Sequence, residues 1–291
     1  MPTICAIILD YFGSSNTIEC LTSLIDQGLD SVMIVDNSGD RKANIQLQKA
    51  LTNFRQGKAP FAIYQIENQH NLGFAKGINN ALRWLEENQP HHYYLLINND
   101  ADATPDMLSK LLKFMQEHDR TVLTAPMIHM AQKKMAYSWY HRFTGLMFSH
   151  RIIGTFPYLT GCCLLVDQRI VSDGLFDEDF FMYGEDVELC WRLRLSDWET
   201  ACVSQALVLH EGTGSSHHGG FFYEHHVARG HLLLAKKLAK HRWEIPFLYS
   251  GKLLTLSARA ILRSIRFRSL FPINAWITAL QKYQFNGQVK K

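Results

Sequence analysis

The sequence predicts an α/β fold, a mostly parallel sheet with helices packed on both faces. Three observations predict it. Short continuous apolar runs recur along the first half, as expected for strands covered on both sides. Segments with apolar residues at helical spacing separate those runs, giving a βαβαβαβα order. Three of the runs end in polar clusters, Asp10-Tyr11, Asp36-Asn37 and Asn98-Asn99-Asp100, and ligands of such sheets sit beyond the carboxyl ends of the strands. The chain has 291 residues, 47% hydrophobic and 20% charged. That suits one large domain, or one domain with a small appendage, and excludes wholesale disorder.

Ile4 to Leu9 is the first strand. The N-terminus has neither a basic leader nor a small-residue cleavage site, so it reads as this strand rather than as a signal peptide. A helix is expected over Thr17 to Ile25, with Ile18, Leu21, Leu24 and Ile25 on one face and Asn16 or Thr17 as cap. Val32 to Val35 is a second buried strand, ending in the polar turn Asp36-Asn37-Ser38-Gly39-Asp40. Residues 42–55 are expected to be helical and Phe61 to Glu67 a third strand. A glycine-bearing loop from Asn71 leads into a helix through Ala81, Leu82, Trp84 and Leu85. Tyr93 to Ile97 is a fourth strand, and a helix follows from about Pro105 with Thr104 as cap. Residues 121–170 hold further strands, among them Leu164-Leu165-Val166 after the small segment Thr160-Gly161-Cys162. Residues 175–198 are an acidic turn and a helix, and 201–209 a strand ending at His210. Residues 211–220 are a Gly-, Ser- and His-rich loop. The expected division is an α/β domain over 1–220 and a helical, basic region over 221–291.

Charge is uneven. From residue 229 onward there are 13 Lys/Arg and one acidic residue, a net +12, while the remainder carries −9. A basic tail on an acidic body points to an anionic partner. No apolar run is long enough to span a bilayer. The six cysteines, at 5, 20, 162, 163, 190 and 202, form no Cys-x-x-Cys pair and read as reduced, buried thiols.

Several clusters can carry chemistry. Asp100, just past a buried strand and two residues before Asp102, can hold a hard divalent cation on a diphosphate; equally, it can be plain turn chemistry. Glu185 and Asp186 fall in a first helical turn, where they are either a general base in a cleft or mere helix-end charges. Phe180, Phe181, Met182 and Tyr183 just upstream would form an apolar wall that raises a carboxylate pKa. His210 can complete a metal site with Asp100. The His-rich stretch with His217, His218, His225, His226 and His231 raises a zinc alternative, but the spacing typical of zinc is absent. The loop Asn71 to Asn79 suits phosphate, with Gly73 allowing close approach and Lys76 either meeting a phosphate or solvated. It lacks the Gly-x-Gly-x-x-Gly order of a dinucleotide fingerprint.

Taken together and in order, these clusters resemble family 2 glycosyltransferases of the GT-A fold, especially rhamnosyltransferase-like members. The resemblance runs from about residue 3 to 235. It rests on Tyr11 with Glu19 to Leu24, Val35-Asp36-Asn37-Ser38, Asn71 to Asn79, Leu96-Ile97-Asn98-Asn99-Asp100, Thr160-Gly161-Cys162, Phe176-Asp177-Glu178 through Leu189, and His210. It implies a Rossmann-like sheet and a nucleotide-sugar donor. By resemblance, Asp36 accepts from the N3–H of a uracil or thymine ring, supported by Asn37. Tyr11, Asn71, Gly73, Lys76, Asn79, Asn98, Asn99 and Gly161 line the donor and acceptor sites. Asp100 and His210 hold Mg²⁺ or Mn²⁺, and Asp186 is the catalytic base with Glu185 beside it. Asn98 stands where the fullest metal motif has Asp, and Lys76 where glycine is commoner. The Gln-x-x-Arg-Trp motif of processive members is missing, which favours transfer of one or a few sugars.

The expected reaction is inverting transfer from a pyrimidine-nucleotide sugar such as dTDP-rhamnose to a hydroxyl of a glycan or lipid-linked glycan. The expected place is the cytoplasm, at the inner face of the membrane. The tail, with apolar and basic residues interleaved over 247–271, would either lie against anionic lipid or pack on its own domain or a dimer partner. No nucleic-acid module accompanies its charge. Two other readings stand beside this one. A nucleotidyltransferase would need a basic triphosphate-gripping loop, and residues 10–17 hold no Lys or Arg. A sugar-binding or scaffold protein would show no metal-dependent donor hydrolysis.

Overall fold

The computed structural model describes residues 2–57, 59–130, 133–135, 137–172, 174–210 and 220–286. The loop expected over 211–220 lies almost wholly outside them, as do Glu211, His217 and His218. In chain order the elements are β1 (Ile4–Asp10), α1 (Ser14–Ser23), β2 (Ser31–Asp36), α2 (Arg41–Gln56), β3 (Ala62–Glu67), α3 (Phe74–Asn88), β4 (Tyr93–Ile97), β5 (Ala101–Ala103) and α4 (Met107–Glu117). There follow β6 (Thr121–Met130), β7 (Lys133–Met135), β8 (Ser138–His141), β9 (Met147–Phe148), β10 (Thr155–Tyr158), β11 (Cys163–Asp167), α5 (Glu185–Leu195), β12 (Glu199–His210), α6 (Phe221–Lys237), α7 (Glu244–Phe267) and α8 (Phe271–Asn286).

Among the described residues the main sheet has nine strands in the order β3-β2-β1-β4-β11-β6-β12-β5, with β7 added on β6. β1 to β4 run parallel. β11 is reversed between β4 and β6, so β6, and β12 parallel to it, point the same way as β1. The carboxyl ends of β1, β2, β4 and β12 therefore share one edge. The smaller sheet is β10-β8-β9.

The apolar runs are continuous because each strand feeds two cores. In β1, Cys5 and Ile7 enter one cluster with α3, α5 and α6, while Ile4, Ala6 and Ile8 enter the other with α1, α2 and α4. β2 and β4 alternate in the same way, Met33, Val35, Tyr94 and Leu96 on one side and Val32, Ile34, Leu95 and Ile97 on the other. A strand with apolar partners on both faces has no polar alternation to show. α5 shows no stripe for a similar reason: Val187, Leu189, Cys190, Trp191 and Leu193 are all buried.

Two expected helix starts are corrected. α1 begins at Ser14, ahead of Thr17, whose hydroxyl donates instead to Asp10 Oδ1 at 2.5 Å. α4 begins at Met107, because Thr104 is held at the sheet edge by donating to Leu207 O. All six cysteines are free.

α6 joins the two ends of the chain. Its Leu234, with Leu238 just beyond, belongs to the main core, and its Ala228 and Leu232 pack with Leu256, Ala260, Trp276 and Ala279 of α7 and α8. Gly230 of α6 sits so close to the 180–184 segment that an added Cβ would lie 1.9 Å from Tyr183 O. Gly to Ala inside a helix ordinarily stabilises by up to about 1 kcal/mol. Here the obstacle is backbone, and overpacking costs about 1–3 kcal/mol. Gly230→Ala should therefore lower the melting temperature by several degrees; a rise on thermal denaturation would refute the close contact.

Candidate active site

The shared strand edge carries two hydrogen-bonded groups. The first is built on the end of β2. Asp36 is 1% exposed, and its carboxylate accepts from Ser38 N (2.9 Å), Ser38 Oγ (2.6 Å) and Asn44 Nδ2 (2.9 Å). Contact with a pyrimidine ring would need that carboxylate at the surface; in this conformation it anchors the turn instead. Asn37 ties the turn to the glycine loop. Its Nδ2 donates to Asn71 Oδ1 (2.9 Å) and Gly73 O (3.1 Å), and its Oδ1 accepts from Leu72 N (3.0 Å) and Asn68 Nδ2 (3.1 Å). Asn71 Oδ1 also accepts from Gly73 N at 2.8 Å. Asn68, at the end of β3, went unnoticed in the sequence; an asparagine ending a third parallel strand, as Asn37 ends the second, is the signal that would have found it.

Gly73 has φ +81°, and a Cβ there would stand 2.2 Å from Phe181 O, which accepts from Phe74 N at 2.7 Å. The loop thus touches the segment leading to Asp186. Asn79 holds that same segment from below. It is buried, donating to Phe176 O (2.7 Å) and accepting from Phe176 N (3.0 Å). The structure therefore does not bring Asn79 to a pocket surface; it positions the acidic segment. Lys76 is exposed on α3, and these contacts do not involve it.

The second group surrounds the 160–162 turn. Asn98 N donates to Cys162 O at 2.9 Å. Asn99 Nδ2 donates to Thr17 Oγ1 (3.3 Å) and Gly13 O (3.4 Å), linking this turn to the end of β1, where Tyr11 packs edge-to-face on Phe12. The short strand β5 pairs with the end of β12, Ala101 opposite His210. That register sets Asp100 Oδ1 3.1 Å from His210 Nε2. Burial draws the His210 pKa down, but its hydrogen bonds to Asp100 and to Cys162 outweigh this and push it up to about 10. Two ligands cis on an ion with bonds of about 2.1 Å stand about 3 Å apart. The pair therefore fits a small divalent cation, which would compete with a proton for Nε2. Among the described residues no group of three or more His, Cys, Asp or Glu is placed to hold a metal, so substrate oxygens and water would complete the shell. This also leaves the zinc alternative without a described cluster. His231 is half-buried, shares a 2.8 Å hydrogen bond with Tyr140 OH, and is pushed down to about 3 by desolvation and by nearby Lys252 and Arg259.

Asp186 reaches the same turn from the other side. Its Oδ2 accepts from Gly161 N at 3.3 Å and its Oδ1 from Val187 N at 2.8 Å. Tyr183 (φ 67°) and Gly184 (φ 109°) precede α5 in the left-handed region, and this bend aims the first turn at the 160–162 segment. Asp186 is half-buried, while Glu185 is 7% exposed, its Oε2 buried without a hydrogen-bond partner. Burial raises both carboxyl pKa values, and the charge of Asp186 raises Glu185 further. Asp100–His210 and Asp186 thus flank one three-residue turn, through Cys162 and Gly161. A hollow beside His92, Tyr93 and Asp167 lies at the opposite end of β4 and is unconnected with this arrangement.

Known proteins share the fold. The structure of GalNAc-T7 with UDP, GalNAc and Mn²⁺ superposes with a TM-score of 0.63 at 12% identity, covering 79% of this chain and 47% of that one. The mannosyltransferase PcManGT from Pyrobaculum calidifontis, in complex with GDP-Man and Mn²⁺, gives 0.60 at 13% identity over 100% of this chain and 88% of that one. The architecture is the GT-A fold. In sequence, the low-salt glycan biosynthesis hexosyltransferase Agl10 of Haloferax volcanii is 23% identical over 203 residues, 65% of this chain and 61% of that protein. An N-acetylglucosaminyl-diphospho-decaprenol L-rhamnosyltransferase of Mycobacterium tuberculosis is 42% identical over 69 residues, 23% of this chain and 22% of that protein. The chain thus spans about three fifths of the first relative and a smaller share of the second. The profile of glycosyl transferase family 2 matches residues 5–175, more than half of the sequence, and the chain belongs to that family.

Proposed function

We propose that the chain moves one hexose from a nucleotide-sugar donor to a hydroxyl of a glycan acceptor, inverting the anomeric carbon. The observation that carries this is the convergence of Asp186 and the Asp100–His210 pair on the 160–162 turn. Family membership and the glycosyltransferase names of the relatives support it. A pyrimidine-nucleotide donor of the dTDP-rhamnose type and a lipid-linked acceptor accord with the mycobacterial relative, whose name specifies rhamnosyl transfer to a decaprenol-diphosphate substrate.

Asp186 takes the proton of the acceptor hydroxyl as its oxygen attacks the anomeric carbon. The Gly161 and Val187 N–H groups hold that carboxylate in place. Glu185 is buried, which leaves half-buried Asp186 to act as base and no second accessible carboxylate beside it as nucleophile. A single displacement with inversion follows. Asp100 and His210 would hold Mg²⁺ or Mn²⁺. Such an ion supplies positive charge against the leaving diphosphate. The Asn37–Asn71–Gly73 knot presents its loop to the donor, with Tyr11, Asn98 and Asn99 along the same edge.

Screening nucleotide sugars for thermal stabilisation, with and without Mn²⁺, tests the reading, because a ligand at about 100 times its Kd stabilises by about 2.7 kcal/mol. A metal-dependent shift with one sugar nucleotide is expected; no shift with any would count against it. Asp186→Asn should cut kcat at least ~10²-fold while that donor shift persists. Asp100→Ala, or chelation of the parent, should abolish both turnover and the Mn²⁺-dependent part of the shift.

Two pH effects follow. Asp186 must be ionised to act, and burial raises its pKa. The acid limb of kcat should therefore lie above the ordinary carboxylate range of about 4, with activity falling as pH drops through it. Glu185 acts on stability. Its folded pKa is raised, so the folded state holds the proton more tightly, and stability is lost as pH rises through that pKa. Glu185→Gln should melt about 2–4 °C above the parent at alkaline pH, with the gap closing on acidification. A gap that widens toward acid would contradict the assignment.

A further inference from the structure

We propose that the outer face of α7 is a docking surface for an anionic lipid bilayer, on which the protein lies without crossing it. Between Pro246 and Ile265 every exposed position is apolar except Ser250. Phe247, Leu254, Ile261, Leu262 and Ile265 are 53–72% exposed, and at helical spacing they fall on one side of the helix. Apart from Arg266, exposed in its last turn, the charges of the same helix turn inward. Lys252 is buried and donates to Arg142 O at 2.6 Å, Arg259 and Arg263 pair with buried Glu224, and Glu244 pairs with Arg142. A soluble surface helix has the reverse arrangement, so this face is built for an apolar medium.

The ends of the face identify that medium. Trp243, 74% exposed, stands at one end with exposed Arg242. Arg266, Arg268 and Leu270, all exposed, stand at the other. Tryptophan and arginine flanking an apolar stripe match the depth profile of a bilayer interface. Arg242, Arg266 and Arg268, exposed at the two ends of the stripe, attract anionic headgroups and oppose pairing with a second copy bearing the same charges. At 1.5 Å per residue, α7 would lie over roughly 36 Å of membrane. None of the described helices is long and apolar enough to cross one. The proposal requires nothing of the catalytic reading, since all these residues lie outside the candidate active site.

The test floats the full chain with vesicles of phosphatidylcholine, alone or with about a third phosphatidylglycerol, at low and high salt. The parent should float with the anionic vesicles at low salt. Leu254→Gln, Ile261→Gln and Ile265→Gln together should lower the partition coefficient at least ~10-fold, with melting temperature and elution volume unchanged. Arg266→Gln with Arg268→Gln should weaken binding about 10-fold on anionic vesicles and leave neutral ones unaffected. Failure of the parent to float at low salt overturns the proposal, as does equal flotation of the triple variant. A parent that elutes as a dimer without lipid, and becomes monomeric in the triple variant, also overturns it, because a second copy then covers the face.

Discussion

The placement of Asp186 depends on two backbone carbonyls pressed into gaps that only glycine leaves open. Phe181 O lies where a side chain on Gly73 would begin, and Tyr183 O where one on Gly230 would. Gly73 belongs to the loop that opens α3, and Gly230 to the middle of α6. The segment between Phe176 and Gly184 has no helix or strand of its own. It is held instead at three points: by Asn79 on both polar groups of Phe176, by Phe74 N on Phe181 O, and by the close contact of Tyr183 with α6. Lys237 adds ion pairs to Asp177 and Asp179. A loop gripped this way can hold Tyr183 at a positive φ, a conformation that costs of order 1 kcal/mol and persists only where its surroundings impose it. The bend that results starts α5 at the 160–162 turn.

The same economy governs the other strand ends. A parallel strand delivers its last carbonyl and side chain to the sheet edge but cannot by itself hold them there. Asn37 N donates to Asp10 O and Asn68 N to Asp36 O, both at 2.9 Å, so each strand end is hydrogen-bonded to its neighbour. Side-chain amides then extend the linkage into the loops. Because an amide both donates and accepts, Asn37 can join Asn68, Asn71 and Gly73 in one cluster without a net charge. The carboxylates that remain are separated by role. Asp36 is consumed by its own turn, Asp100 meets an imidazole, and Asp186 meets only backbone N–H groups.

Much of this was legible in sequence where the signal is local. The two-faced strands announce themselves as unbroken apolar runs, and the polar clusters after β1, β2 and β4 mark the edge correctly. Glu185 and Asp186 fall in a first helical turn as their neighbours suggest. What escaped depends on partners far along the chain. Thr17 looks like a helix cap until Asp10 competes for its hydroxyl. Thr104 looks like one until β12 arrives beside it. β5 has three residues, too few for any period, yet its pairing with β12 is what brings Asp100 to His210. Asn79 resembles a pocket residue, but its true partner is Phe176, 97 positions away. Gly230 sits inside a helical pattern where an isolated glycine hints at close approach, though not at what approaches.

Composition alone misplaces the tail's charge. Interleaved apolar and basic residues suggest basic side chains reaching outward from an apolar underside, and for Lys252, Arg259 and Arg263 the fold inverts this. The reason is Glu224. A carboxylate at 2% exposure on α6 demands partners, and Arg259 and Arg263 are drawn inward to it from α7. Lys252 is likewise taken up by the carbonyl of Arg142. With Lys252, Arg259 and Arg263 committed to the interior, α7 is left with a mostly apolar outer side between Pro246 and Ile265, Ser250 being the exception. α6 therefore serves two masters with one rigid element. Its acidic residue orients α7, and its glycine and its lysine grip the segment that carries Asp186. Because both faces of α6 are packed, the outer stripe of α7 and the bend before α5 are held at a set distance and angle, so any surface that accepts the stripe also fixes which way the strand edge opens.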